Sequence, residues 1–210
     1  INYDVPIVAI LGQSLGHDSV EGDRICLAAL ARLESEGTSW NDIFNSGTLQ
    51  PEFYSWLNER FDRRSPSQEL ASIGEAHFSA VFTSSFDPIL KILFETDGRE
   101  PELVLVGDPP PPMRRSKLRP RIFYLFGMAG AGQFQPPTSR LALKARHSQH
   151  ATPMLNTMFD VATPLGLIVV DGLLVGKDWL DPSEILGQLS RAPTASVLWF
   201  GPDPGFNFED

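Results

Sequence analysis

The chain has 210 residues, 17 lysines and arginines against 26 acids, a formal charge of −9, and 42% apolar content. That length can bury one sizeable core, and the acidic balance excludes a broad unassisted nucleic-acid surface, since nonspecific binding needs a positive field over the phosphates. The single cysteine, Cys26 in "ICLAAL", excludes an internal disulfide and a thiolate metal cluster; it reads as a buried core thiol, and a reducing, cytoplasmic location is expected.

In chain order, "VPIVAILG" (Val5 to Gly12) predicts a buried parallel strand entering a tight turn. "DRICLAALARLESEG" has helical spacing at Ile25, Leu27, Leu30 and Leu33, with Gly37 as its stop. "SWNDIF" reads as a fresh helix capped by Ser39. "PEFYSWLNERF" is a short helix with proline in its first turn. Its aromatics recur at the spacing of core packing.

"SQELASIGEAHF" is helical, "SAVFTSS" is a second strand, and "DPILKILFETD" is a helix that Gly98 ends. "ELVLVGD" is a third strand, after which Pro109 to Pro112 form a stiff extended piece. "RIFYLFGMAGAG" is a fourth strand running into glycines, and "PTSRLALKARHSQHATPMLNTMF" holds one or two helices. "LGLIVVDG" (Leu165 to Gly172) is a buried strand, "WLDPSEILGQLSRA" a helix starting at Asp181-Pro182, and "SVLWFG" the last strand. Strands alternating with helices predict an α/β chain, Rossmann-like, with a mostly parallel sheet and helices on both faces, as a single domain over residues 1–210.

Ligands of open parallel sheets gather beyond the carboxyl ends of the strands. Those ends are Gly12-Gln13-Ser14-Leu15-Gly16, Thr83-Ser84-Ser85-Phe86-Asp87, Gly107-Asp108, Phe126-Gly127-Met128-Ala129-Gly130 and Asp171-Gly172. Glycine permits close backbone approach, but the Gly-x-x-x-Gly at residues 12–16 is neither a dinucleotide fingerprint nor a phosphate-cradling loop with lysine. Asp87 either caps the helix it opens or holds a ribose hydroxyl. His147 and His150, three apart, read as a surface pair without a third metal ligand. His17 and His77 are isolated candidates for an acid or base, and no nucleophile elbow accompanies the serines.

The order of "VPIVAILGQSLG", "GTSWNDIF", "AVFTSSFDPILKILFE", "RIFYLFGMAG" and "LGLIVVDGLLVGKDWL" resembles the SIR2-like (sirtuin-related) domain, in its bacterial defence-associated branch. The resemblance covers residues 5–180. It implies that Gly12, Gln13 and Ser14 stand where a Gly-Ala-Gly-Ser-like loop holds the NAD pyrophosphate. It further implies that Thr83, Ser84, Ser85, Phe86 and Asp87 replace a Thr-Thr-Asn-Tyr/Phe-Asp segment, with Ser85 in place of the asparagine that orients the ribose. Leu125-Phe126-Gly127 stands where Leu-His-Gly carries the general base. Phe126 cannot accept a proton, and general-base catalysis is worth ~10²–10⁴-fold. The resemblance therefore implies a catalytically silent relative, with NAD or a related nucleotide as its possible ligand at Gly12, Gln13, Ser14, Thr83, Ser85, Asp87 and Gly127.

The leading expectation is a structural, assembly or regulatory domain in a larger bacterial, anti-phage protein. The first alternative is an active NAD glycohydrolase cleaving the nicotinamide–ribose bond, with Ser85, Asp87 or His17 in substituted roles. The second is an α/β scaffold unrelated to NAD, which apolar filling of the crevice between residues 12–16 and 126–130 would favour. Protein deacetylation lacks its zinc cysteines. Expected partners are other domains of the same longer chain, copies of itself or defence-complex subunits. A membrane is not expected, because no apolar run reaches spanning length. The basic run Met113 to Arg121 reads as a solvated loop, and the aromatic tail "LWFGPDPGFNF" as a dock for whatever follows it.

Overall fold

Short runs of β-branched and aromatic residues become strands here because each is too brief for a helix and is bounded by glycine, proline or hydroxyl residues. The computed structural model describes residues 6–13, 20–62, 68–107, 119–162, 166–173, 178–190 and 195–201. In chain order the elements are β1 (Ile7–Leu11), α1 (Val20–Arg32), α2 (Trp40–Asn45), α3 (Pro51–Asp62), α4 (Gln68–Glu75), β2 (Ala80–Thr83), α5 (Ile89–Thr96) and β3 (Glu102–Val104). There follow β4 (Arg121–Tyr124), α6 (Arg140–Arg146), a π-helical turn (His147–Ala151), α7 (Thr152–Ala162), β5 (Leu167–Asp171), α8 (Pro182–Leu189) and β6 (Ser196–Trp199).

The strands form one six-stranded sheet in the order β3-β4-β2-β1-β5-β6. Every pairing is parallel, so the expected "mostly parallel" sheet is parallel throughout. Parallel strands are buried on both faces, which is why they read as continuous apolar runs. One face packs against α1, α2, α3, α7 and α8 through Leu30, Ile43, Leu57, Met158 and Ile185. The other packs against α4 and α5 through Leu70, Leu90, Leu93 and Phe94. The architecture is α/β and Rossmann-like, with helices on both faces. Phe82 and Phe123 stack across β2 and β4 with ring centroids 4.4 Å apart.

Several local rules hold. Ser39 precedes α2, and Asp42 accepts from both its backbone N–H and its hydroxyl at 2.8 Å. Asp181 caps α8 by accepting from the Ser183 amide at 2.8 Å, with Pro182 in the first turn. Cys26 is buried.

Two expectations about α1 require correction. The helix ends at Arg32, where Glu34 turns left-handed with φ +53°, and not at Gly37. Its inward stripe is Ile25, Cys26, Ala29 and Leu30, while Leu27 is exposed. The true stripe repeats at one, four and five residues, and Leu27 falls on the opposite side of the turn. The segment around His147 also departs from a plain helix. A π turn joins α6 to α7, so His147 and His150 lie on a widened turn and not on a regular helical face.

Candidate functional site

Parallel pairing brings the strand ends to one edge. Leu11 sits beside both Thr83 and Asp171, and Thr83 beside Tyr124, so Gly12, Ser84, Leu125 and Gly172 follow in a row. The chain runs from β1 toward β2 on one side and returns to β5 on the other, which makes the β1–β5 border the switch point. Gly12 and Gln13 follow β1, Thr83 ends β2 with Ser85 and Asp87 just after it, and Gly127 follows β4, all toward the carboxyl edge of the sheet. Ser14, Gly16 and His17 lie outside the described residues. His77 is exposed and precedes β2, at the opposite end of that strand.

The Thr83–Asp87 segment is buried, and the polar side chains of Thr83, Ser85 and Asp87 are hydrogen-bonded. Thr83 Oγ1 donates to the Leu11 carbonyl at 2.8 Å and accepts from the Ser85 amide at 3.0 Å. The Ser85 hydroxyl donates to Asp87 Oδ2, and Asp87 Oδ1 accepts from the Ile89 amide at 2.9 Å. Asp87 therefore secures the entry to α5, and its partner hydroxyl is the one the resemblance places at the ribose.

Both glycines are required by backbone packing. A Cβ on Gly12 would stand 2.1 Å from the Gly172 carbonyl oxygen, and the Gly12 amide donates to Asp171 O at 2.8 Å. Gly127 has φ +97°, and a Cβ there would meet Phe134 O at 2.4 Å. Its conformation is one that glycine adopts without cost.

Beside these groups lies an aromatic cluster centred on Trp179. Phe86 stacks on it at 4.8 Å, while Phe44 and Phe126 meet it edge-on at 4.5 Å and 5.6 Å. Trp40 and Tyr54 close the far side of Phe86 at 5.2 Å and 5.9 Å. Phe126 is fully buried. Such edge-to-face and offset contacts add to the stabilisation that aromatic burial itself provides. The position expected to hold a general base is thus packed by apolar rings.

A second group at the switch point was not singled out from the sequence. Asp178 Oδ2 accepts from the Gln13 amide at 2.7 Å, and Oδ1 from the Leu180 amide at 2.9 Å. Part of its surface reaches solvent, yet packed groups crowd its carboxyl. That desolvation pushes its pKa from 3.8 up to about 6, against the opposing pull of Ser84 and the amides of Gln13, Leu180 and Trp179. Gln13 Nε2 donates to the Ser84 carbonyl at 3.2 Å. Gln13 Oε1 and Ser84 Oγ are buried without a well-formed hydrogen bond in the chain. The signal available in the sequence was an acid, in "GKDWL", shortly after the strand at the switch point.

His147 Nε2 lies 2.7 Å from Glu184 Oε2, tying the π turn to α8. Burial and the nearby Arg146 lower the pKa of His150. Arg146 itself turns inward, donating to the carbonyls of Phe126 and Gln135 at 3.3 Å each. No group of three or more metal-ligating side chains occurs among the described residues. No helix of the described residues is long and apolar enough to cross a membrane. No family model matches the chain, and no curated protein matches it.

Proposed function

We propose that this chain is a catalytically silent Rossmann-like domain of the SIR2-like kind, serving assembly or regulation within a larger bacterial cytoplasmic protein, with antiviral defence as its setting. The observation that carries the reading is Phe126, fully buried and edge-on to Trp179 at the place the resemblance reserves for a base. A phenyl ring neither takes a proton nor bonds a ribose hydroxyl. Ser85 and Asp87 add to it, because their polar atoms are spent on each other and on the start of α5. Gly12 is likewise committed to the Gly172 backbone, so its small size does not argue for a pyrophosphate.

Calorimetry with NAD, together with nicotinamide release measured on the same samples, tests this. Binding without release describes a domain that holds nucleotide but does not cleave it, and no binding describes a pure scaffold. Steady release of nicotinamide would overturn the proposal.

A second reading, retained cleavage of the nicotinamide–ribose bond, is favoured by Asp178. A carboxyl with a pKa of about 6 at the switch point is matched to general-base work near neutrality. Under that reading Asp178, in place of Asp87 or His17, takes the proton, and Asp178→Asn abolishes release.

A further inference from the structure

Charge is not spread evenly along this chain. Residues 109–159 hold eight of the 17 lysines and arginines and none of the 26 acids, so the rest of the molecule is more acidic than the net −9 conveys. Within that block Arg119 and Arg121 are already paired with Glu100 and Glu102. The other described basic residues of the block are on α6. Arg146 turns inward to the Phe126 and Gln135 carbonyls, whereas Arg140 and Lys144 are exposed.

Arg140 donates to the Asn45 side-chain oxygen, and neither Arg140 nor Lys144 makes an ion pair with a described residue. Acids on the neighbouring helices are engaged elsewhere. Glu184 of α8 stands 2.7 Å from His147, and Asp42 of α2 accepts from the Ser39 amide and hydroxyl at 2.8 Å. A second feature sets α6 apart. None of its side chains is buried, and only Leu143 packs against the edge of the core. Leu141 is 80% exposed, more than any other large apolar side chain among the described residues. Helical spacing puts Arg140, Leu141, Lys144 and Ala145 on one face, and all four are exposed.

We propose that this face of α6 docks a short acidic segment of a partner domain, with carboxylates on Arg140 and Lys144 and an apolar side chain against Leu141. Charge complementarity selects the occupant. A nucleic acid is also negative, but it is a long polyanion and would extend over a molecule whose other residues hold all 26 acids. A short segment meets α6 alone. Leu141 adds a requirement that phosphate does not meet, since an apolar surface is covered best by another. The inference deepens the assembly role proposed above and rests on it.

The test uses a fluorescein-labelled synthetic peptide of repeated Glu-Leu-Glu-Glu units, titrated with the whole chain at low salt and followed by anisotropy. Saturable binding that weakens as salt rises is expected. Arg140→Glu combined with Lys144→Glu should weaken it about tenfold or more, because two attractions become repulsions. Leu141→Ser leaves the charge unchanged and should weaken it about tenfold through the lost apolar contact. All three side chains are exposed, so near-ultraviolet dichroism should not change. Lys91→Gln, on α5 across the sheet, should bind as the parent does. Absence of saturable binding, indifference to Leu141→Ser, an equal loss in Lys91→Gln, or tighter binding of an oligothymidylate of matched charge would each overturn the docking face. Nicotinamide release in these samples would sink the silent-domain reading and leave the docking face standing, so the two failures are separable.

Discussion

Two regions lie beyond the same strand ends and have opposite characters. Around Trp179 the rings of Phe44, Phe86 and Phe126 pack on one another, and the neighbouring Thr83, Ser85 and Asp87 are bonded internally. At the switch point Gln13 Oε1 and Ser84 Oγ are buried without good partners, and burial pushes the hydrogen-bonded Asp178 carboxyl toward its neutral form. The first region behaves as core, where polar groups are paired and volume is filled. The second keeps the costs usually found at sites that handle ligands. Aromatic rings fill the first region, whereas the switch point is lined by polar groups.

The contrast is broken most forcefully at Phe126. Phe126→Ala should cost about 3–5 kcal/mol in denaturant unfolding if the ring is core. A loss under about 1 kcal/mol would mean that the cluster is slack and the place still open. Gly12→Ala comes next. Its Cβ would run into the Gly172 carbonyl, which is backbone and cannot swing aside, and a loss of about 3 kcal/mol is expected from overpacking. An undiminished midpoint would show that the loops after β1 and β5 separate easily.

The smallest effect is expected at Asp178, and its sign follows from linkage. The folded-state pKa of about 6 exceeds the ordinary 3.8, so between those values the folded chain holds a proton that the unfolded chain releases. This group therefore stabilises the fold as pH falls through 6, and that contribution is lost as pH rises through 6. Asp178→Asn stays neutral throughout. Relative to wild type its melting temperature should be higher at pH 7.5 than at pH 4.5 by about a few degrees. Parallel melting profiles for the two proteins would remove the strained carboxyl and with it the contrast between the regions.

Much of the framework was legible. All six strands were readable as short apolar runs, the central β1, β2 and β4 because they are buried on both faces, and the starts of α2 and α8 were marked by Ser39 and Asp181-Pro182. The strand order was harder. β3 precedes β4 in the chain but lies outside it in the sheet, an inversion that depends on which edge is free when the strands pair, and no local pattern encodes that. The π turn was equally hidden, since one extra residue in a helical turn leaves the apolar periodicity of "LALKARHSQHA" nearly intact. At the candidate site Thr83, Ser85 and Asp87 were found from a motif-like stretch, while Asp178 was missed. Its importance comes from burial and from Gln13, a residue far away in sequence that only the β1–β5 pairing brings near.

The β1–β5 pairing also bears on how the chain is made. Val8 pairs with Ala80 on one side and with Ile168 on the other, so the central strand has its second neighbour only when most of the polypeptide has left the ribosome. Until then one edge of β1, rich in Ile and Val, is open to any other strand nearby. Slow, distant pairing of this kind exposes a nascent chain to misassociation. Truncations ending before Leu167 should therefore collect in the insoluble fraction, even though they retain β1, β2 and β4 intact.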